Sequence, residues 1–198
     1  MSNVTEPGNP LYDCFGLNKS LFLLINKIHA PVLDQVMLSV TWLGHPRLYP
    51  FYMAALLLLS WRKPGIMPLR NLVVFTVSYV ATSLIIVPTL KAALDFPRPS
   101  TIFGAQAITI LGNPDRFHSF PSGHSAFAVL MAASLLPDIP RGGKLLLLLF
   151  ALLVCISRIS AGAHFPADVI GGATISILVV LAVRSAIGRP TTQWNRRL

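Results

Sequence analysis

Asn71-Leu-Val-Val-Phe-Thr-Val-Ser-Tyr-Val-Ala-Thr-Ser-Leu-Ile-Ile-Val-Pro-Thr-Leu90 is a run of twenty residues without a charge. A run of about 20 apolar residues crosses the hydrocarbon core of a bilayer as one helix. This stretch therefore sets the class: a helical membrane protein. Pro88, close to its end, is expected to kink it.

Working outward, four more apolar runs flank it. One ends in Leu48 to Trp61, begins near His45-Pro46, and is closed by Arg62-Lys63-Pro64-Gly65. The others run from Ser122 to Leu136 (stopped by Pro137-Asp138-Ile139-Pro140), from Lys144 to Ser157 or slightly beyond, and from near Pro166 to around Ala186 before Gly188-Arg189-Pro190. The expected fold is an all-α, polytopic membrane helix bundle of about five transmembrane helices. Residues 18–44 decide whether there is a sixth. Leu21, Phe22, Leu24, Ile25 and Ile28 oppose Asn18, Lys19, Asn26 and Lys27, and Pro31 interrupts before Asp34 and Gln35. They read as paired amphipathic helices lying in the interface. The alternative is a sixth span with Lys27 and Asp34 buried.

The composition agrees. The 198 residues are 54% hydrophobic and only 12% charged, with a mean hydropathy of +0.65, which excludes an ordinary soluble domain. A single domain is expected over 1–198: an N-terminal interfacial segment at 1–44, a helical bundle at 45–187 and a basic cytoplasmic tail at 188–198. The net charge of +9 does not point to nucleic acid, because the bases fall between apolar runs and not in a patch with interleaved aromatics. Cys14 and Cys155 suggest neither a disulfide framework nor a metal site. Residues 1–20 have no basic start and no apolar core, so no cleavable signal is expected. Asn3-Val4-Thr5 fits the glycosylation pattern, a motif short enough to arise by coincidence.

Alternate helix ends lie on alternate membrane faces, which gives an internal test. Lys91, Ser122, His124, Arg158, His164 and Asp168 all fall at ends that share one face. The opposite face receives Arg62, Lys63, Arg70, Arg141, Lys144, Arg184, Arg189, Arg196 and Arg197, nine bases against the single acid Asp138; the cluster face holds seven bases and six acids. The excess of bases marks the cytoplasmic side. The C-terminus is then cytoplasmic and the polar cluster faces outward.

Polar groups in so apolar a chain are functional suspects. Each has a bland reading: a histidine as interfacial anchor, Lys91 and Arg158 as snorkelling cations, Asp168 as a structural partner of Arg158, Ser122 as a helix cap. Their convergence on one face weighs against all of these. Together they suit a phosphate. Lys91, Arg98 and Arg158 neutralise charge, and arginine adds a fork matched to two oxygens. Ser122, Gly123 and His124 open a helix whose amides and dipole favour an anion. His164 and Asp168 sit about Pro166 at the start of the last span, where a carboxylate fixes an imidazole tautomer as in nucleophile–base–orienter triads. His164 is therefore assigned as nucleophile and His124 as the acid that protonates the departing oxygen. No metal or other cofactor is required by this scheme, since the cations supply the charge stabilisation.

The same residues resemble a known family. Lys91-Ala-Ala-Leu-Asp-Phe-Pro-Arg98-Pro99, Pro121-Ser-Gly-His124 and Ser157-Arg158-Ile-Ser-Ala-Gly-Ala-His164-Phe-Pro-Ala-Asp168 are similar to the three signature motifs of the type 2 phosphatidic acid phosphatase family, complete and in order. The resemblance implies a phosphohistidine at His164, with Asp168 assisting and His124 as acid. It also implies phosphate binding by Lys91, Arg98, Ser122, Gly123 and Arg158. The chain looks like the small bacterial members, which implies an inner-membrane enzyme with its site facing the exterior. The substrate is expected to be a lipid phosphate or diphosphate. Undecaprenyl diphosphate is preferred, and phosphatidylglycerol phosphate, phosphatidic acid and lipid A phosphates are the other choices.

Three other readings compete with a phosphatase. A vanadate-dependent haloperoxidase shares the motifs but is typically soluble and larger. A lipid phosphotransferase would keep the same intermediate and differ only in acceptor. A non-enzymatic membrane module would not need both histidines and Asp168. Oligomeric state is not encoded in any motif.

Overall fold

The structure, a computed structural model, describes residues 10–188. Asn3-Val4-Thr5 and the basic tail beyond Gly188, with Arg189, Arg196 and Arg197, lie outside the described residues.

All regular structure among those residues is helical. Two short elements come first, α1 (Pro10–Asp13) and α2 (Leu17–Asn26), then α3 (Pro31–Leu43). Helices α2 and α3 meet at an angle of 119°. Pro31 removes an amide donor at the first position of α3, and Ala30 before it is extended, so the chain turns there and does not continue as one rod. A 3-10 turn at Pro46–Leu48 leads into α4 (Tyr49–Arg62).

The opening run of the sequence lies within α5 (Leu69–Tyr79), a π-helical stretch (Val80–Ile86) and α6 (Val87–Leu94). At Pro88, where a kink is expected, the helical run continues from Leu69 to Phe103, and the departure from α-helical geometry is the wider turns of Val80–Ile86, which end two residues before the proline. Then come α7 (Pro99–Phe103), α8 (Gly123–Leu135), α9 (Arg141–Ser160) and α10 (Pro166–Ile187).

Helix α8 is the axis of the bundle. It packs against α10, α9 and α5, and Ser125, Ala126, Phe127, Ala128, Leu130, Met131 and Ala132 are all buried. Close approach to α10 depends on Gly172, where a Cβ would stand 2.5 Å from the Ser122 carbonyl oxygen. Ser176 Oγ of α10 donates to the Ala126 carbonyl at 2.7 Å. Small and hydroxylated residues inside, with Leu146, Leu152, Ile170, Leu178 and Leu181 exposed outside, are the pattern of helices packed in lipid.

Three helical runs are long and apolar enough to cross a membrane by themselves: Leu69–Phe103, Arg141–Ser160 and Pro166–Ile187. The bent pair α2–α3 would make a fourth, and α8, apolar on the whole, has only 13 residues. Helix α4 has 14. Length therefore singles out fewer crossings than the expected five, since two of the apolar runs form helices shorter than the hydrocarbon is thick.

Candidate active site

The site is built where α6, α8, α9 and α10 present their ends to the loop of residues 104–122. Helix α9 ends at Ser160, and the Ala163 and His164 amides both donate to the Arg158 carbonyl, at 3.1 and 3.2 Å. This wraps the chain back over the helix end. Gly162 permits the wrap with a φ of +71°, and a Cβ there would strike the Thr109 carbonyl oxygen at 2.3 Å. His164 is thereby held 2% exposed, just before Pro166 starts α10.

Asp168, in the first turn of α10, is completely buried. Its Oδ2 accepts from the Phe165 amide at 2.9 Å, which caps the helix, and from Ser119 Oγ at 2.6 Å. His164 Nδ1 lies 3.3 Å from Oδ2 and 3.4 Å from Ser119 Oγ. The Ser119 proton is engaged by the carboxylate, so Nδ1–H is the donor toward both oxygens. Nε2 then carries the lone pair. Arg98 Nη1 stands 3.5 Å from that nitrogen. Burial first, then the positive charges of Arg98, Arg158 and Lys91, hold the His164 pKa well below the ordinary histidine value.

The cations converge as expected. Arg98 is fixed by donating Nε to the Phe117 carbonyl at 3.0 Å and Nη1 to the Ala163 carbonyl at 3.1 Å. Lys91 Nζ donates to the carbonyls of His118 and Ser119. Arg158 Nη1 donates to Thr41 Oγ1 at 3.3 Å, while its buried Nε has no partner among the described residues. Lys91 and Arg98, with Pro88, Ala92, Asp115 and His118, line a cavity of about 340 Å³. His118 at its rim pairs with Asp95 at 2.8 Å.

The helix start differs in detail from expectation. The Ser122 amide does not point into free space but donates to the Asp168 carbonyl at 3.0 Å, and Ser122 Oγ accepts from Ser125 Oγ at 3.0 Å. The amide ties α8 to α10, and the hydroxyl is used within the first turn of α8. Nor does packing demand a glycine at 123, where a Cβ would meet only Val87, at 3.8 Å. His124 stands in the first turn of α8 with its ring edge to face with His45, centroids 4.8 Å apart.

All eight residues singled out by sequence thus lie at one end of the bundle, on α6, α8, α9, α10 and the connections between them. Four neighbours were missed: Tyr12 and Ser119 on Asp168, His45 on His124 and Thr41 on Arg158. Ser119 adjoins the Pro121–His124 motif and was within reach of sequence reasoning. The others come from segments with no local signature.

A profile of the PAP2 superfamily matches residues 72–191. An undecaprenyl-diphosphatase of Sulfolobus acidocaldarius is 27% identical over 159 residues, covering 79% of this chain and 72% of that protein. Among solved structures, LpxE of Aquifex aeolicus superposes with a TM-score of 0.74 at 28% identity, covering 84% of this chain and 94% of that one. The first transmembrane PAP2 type phosphatidylglycerolphosphate phosphatase from Bacillus subtilis gives 0.68 at 23% identity, covering 89% and 87%. This second likeness is one of fold.

Proposed function

The chain belongs to the PAP2 superfamily of phosphatases, and from that membership we propose that it removes phosphate from a membrane lipid phosphate or diphosphate through a phosphohistidine on His164. The observation that carries this reading is the two-sided setting of one imidazole: Nδ1 faces Asp168, and Nε2 faces Arg98.

The terminal phosphoryl group enters among Lys91, Arg98 and Arg158, whose charges offset its own. Nε2 of His164 attacks phosphorus in line, forming the N–P bond as the bond to the lipid-side oxygen breaks. His124 gives its proton to that oxygen. Positive charge appearing on the His164 ring is stabilised by Asp168 through Nδ1–H. Water, deprotonated by His124, then attacks phosphorus, the N–P bond breaks, and inorganic phosphate leaves. The scheme needs no metal, because the three cations supply the charge stabilisation.

Undecaprenyl diphosphate is the preferred substrate, supported by the similarity to the Sulfolobus enzyme. The enzyme is placed in the cytoplasmic membrane with its site on the outer face, supported by the distribution of bases. The test is phosphate release by detergent-solubilised protein, with EDTA present. The panel is undecaprenyl diphosphate, phosphatidylglycerol phosphate and phosphatidic acid, with His164→Ala as control. Metal-independent release that is absent from the variant is expected, fastest on the diphosphate. No release from any of the lipids by folded protein would sink the reading.

A further inference from the structure

Asp168 is met by a donor that lies far ahead of the stretch matched by the family profile. Tyr12, in the four-residue helix α1, donates its phenol to Oδ1 at 2.6 Å. The contacts from Ser119, the Phe165 amide and His164 all fall on Oδ2. Tyr12 is therefore the one donor on Oδ1 among the described residues. Burial, then the neighbouring Asp168, raises the phenol's pKa above its ordinary value, so it stays protonated and donates.

The ring is held from two sides. It stacks on Phe96, centroids 4.4 Å apart and planes at 17°, and meets Phe165 edge-on at 6.2 Å. Phe96 lies two residues before Arg98, and Phe165 directly follows His164. Asn18 fastens the same segment: its side-chain amide donates to the Tyr12 carbonyl at 3.2 Å, and its Oδ1 accepts from the Ala167 amide at 2.9 Å. The bland alternative is a packing latch. For packing alone, however, phenylalanine would serve, and the hydroxyl would be a buried polar group with no purpose.

We infer that Tyr12 is a positioning residue for the phosphoryl transfer: its phenol fixes the Asp168 carboxylate so that Oδ2 is presented to Nδ1 of His164. The inference rests on the reading of His164 as nucleophile. Without the phenol, Oδ1 of a fully buried carboxylate is left unpaired and the group is held through Oδ2 alone, so its plane can rotate about that oxygen and the Oδ2–Nδ1 alignment that stabilises the phosphorylated ring is weakened. Capture of phosphate by Lys91, Arg98 and Arg158 does not involve Oδ1. The effect of losing the phenol therefore falls on kcat and spares KM.

The experiment compares Tyr12→Phe, Tyr12→Ala, His164→Ala and the unaltered full-length protein in detergent, with undecaprenyl diphosphate as probe. In Tyr12→Phe, which keeps both ring contacts, kcat is expected to fall about 10- to 100-fold, with KM within about twofold. Its thermal midpoint should stay within a few degrees. A Tyr12→Phe protein with undiminished kcat overturns the inference, and so does one that loses its thermal transition along with activity, because the phenol would then be a structural bond. Loss of kcat confined to Tyr12→Ala has the same force, since it makes the ring and not the hydroxyl the active part. If the unaltered protein releases no phosphate, the phosphatase reading fails and takes the inference with it. If that protein is active, His164→Ala is inactive and Tyr12→Phe is unimpaired, the inference fails alone.

Discussion

At the scale of single residues the cations of the site differ in how many of their donors the protein already uses. Arg98 is tied to two backbone carbonyls, so replacing it disturbs the loop as well as the charge. Arg158 is held only by Nη1 on Thr41, and its buried Nε has no partner among the described residues. Arg158→Lys preserves charge but loses the fork, and kcat/KM for the best lipid substrate is expected to drop about 10- to 100-fold with little change in thermal midpoint. A fall of less than twofold would show that Arg158 does not touch the phosphoryl group. His164 yields a pH prediction. Burial and three cations push its pKa down, so the free base persists to lower pH than for an ordinary histidine, near 6.5. Phosphoryl transfer to His164, followed in a single turnover, should not lose its rate on the acid side until well below about pH 6.5. A half-loss at or above that pH would mean that His164 is not in the field of Arg98, Arg158 and Lys91. The eight residues named from sequence were legible because each sits in a short motif whose spacing survives folding. Tyr12 was not legible. Its partner is 156 positions away, and nothing near it in the chain distinguishes a phenol that reaches a carboxylate from one that anchors an interface.

At the scale of elements, punctuation was more informative than hydrophobicity. Pro166 marks the start of α10 in the structure as in the sequence. Helix α9 begins at Arg141 and not Lys144, because Pro140 is its N-cap and Gly142-Gly143 fall inside its first turn. The π-helical turns at Val80–Ile86 have no composition of their own, and Pro88 pointed to a kink and not to wider turns. The contact of α8 with α10 was likewise invisible, since Gly171-Gly172 reads simply as small residues inside an apolar run. Yet this contact places Ser122 against Asp168. Gly172→Ala sets a methyl 2.5 Å from the Ser122 carbonyl oxygen, and backbone yields less readily than a side chain. The variant is expected to lose about 1–3 kcal/mol of stability, read as a lower thermal midpoint, and to lose activity with it. Gly142→Ala is the contrast, because its Cβ would enter open space. Its midpoint should hold or rise slightly. Equal midpoints for the two variants would deny that α8 and α10 are in backbone contact.

For the whole molecule, the informative feature is that two opposite ends carry two kinds of basic residue. At one end Lys91, Arg98 and Arg158 surround a buried carboxylate and two histidines. At the other, Arg70 donates to the Gly188 carbonyl at 2.5 Å, and Arg184 bonds Asn71 Oδ1 at 3.1 Å and the Ser134 carbonyl. These arginines cap helix ends, and none of the residues chosen for catalysis lies near them. The sequence anticipated this division by counting helix ends, without any contact being known. What counting cannot supply is the number of crossings, because α4 and α8 are short and α2–α3 is bent. Orientation is open to direct measurement. An excess of bases over acids at the Arg70–Arg184 end should hold it in the cytoplasm, since cations resist transfer across an energised membrane. Alkaline phosphatase, which is active only outside the cytoplasm, should be active when inserted after Asp115 and inactive when inserted after Gly65. Fluorescent protein inserted at the same two places should give the reverse. Activity at both sites would place both loops outside and contradict the alternation on which the shared face of the site depends. Activity only at Gly65 would keep the bundle and turn it over, so that the phosphatase would meet lipid phosphates in the inner leaflet, where they are made.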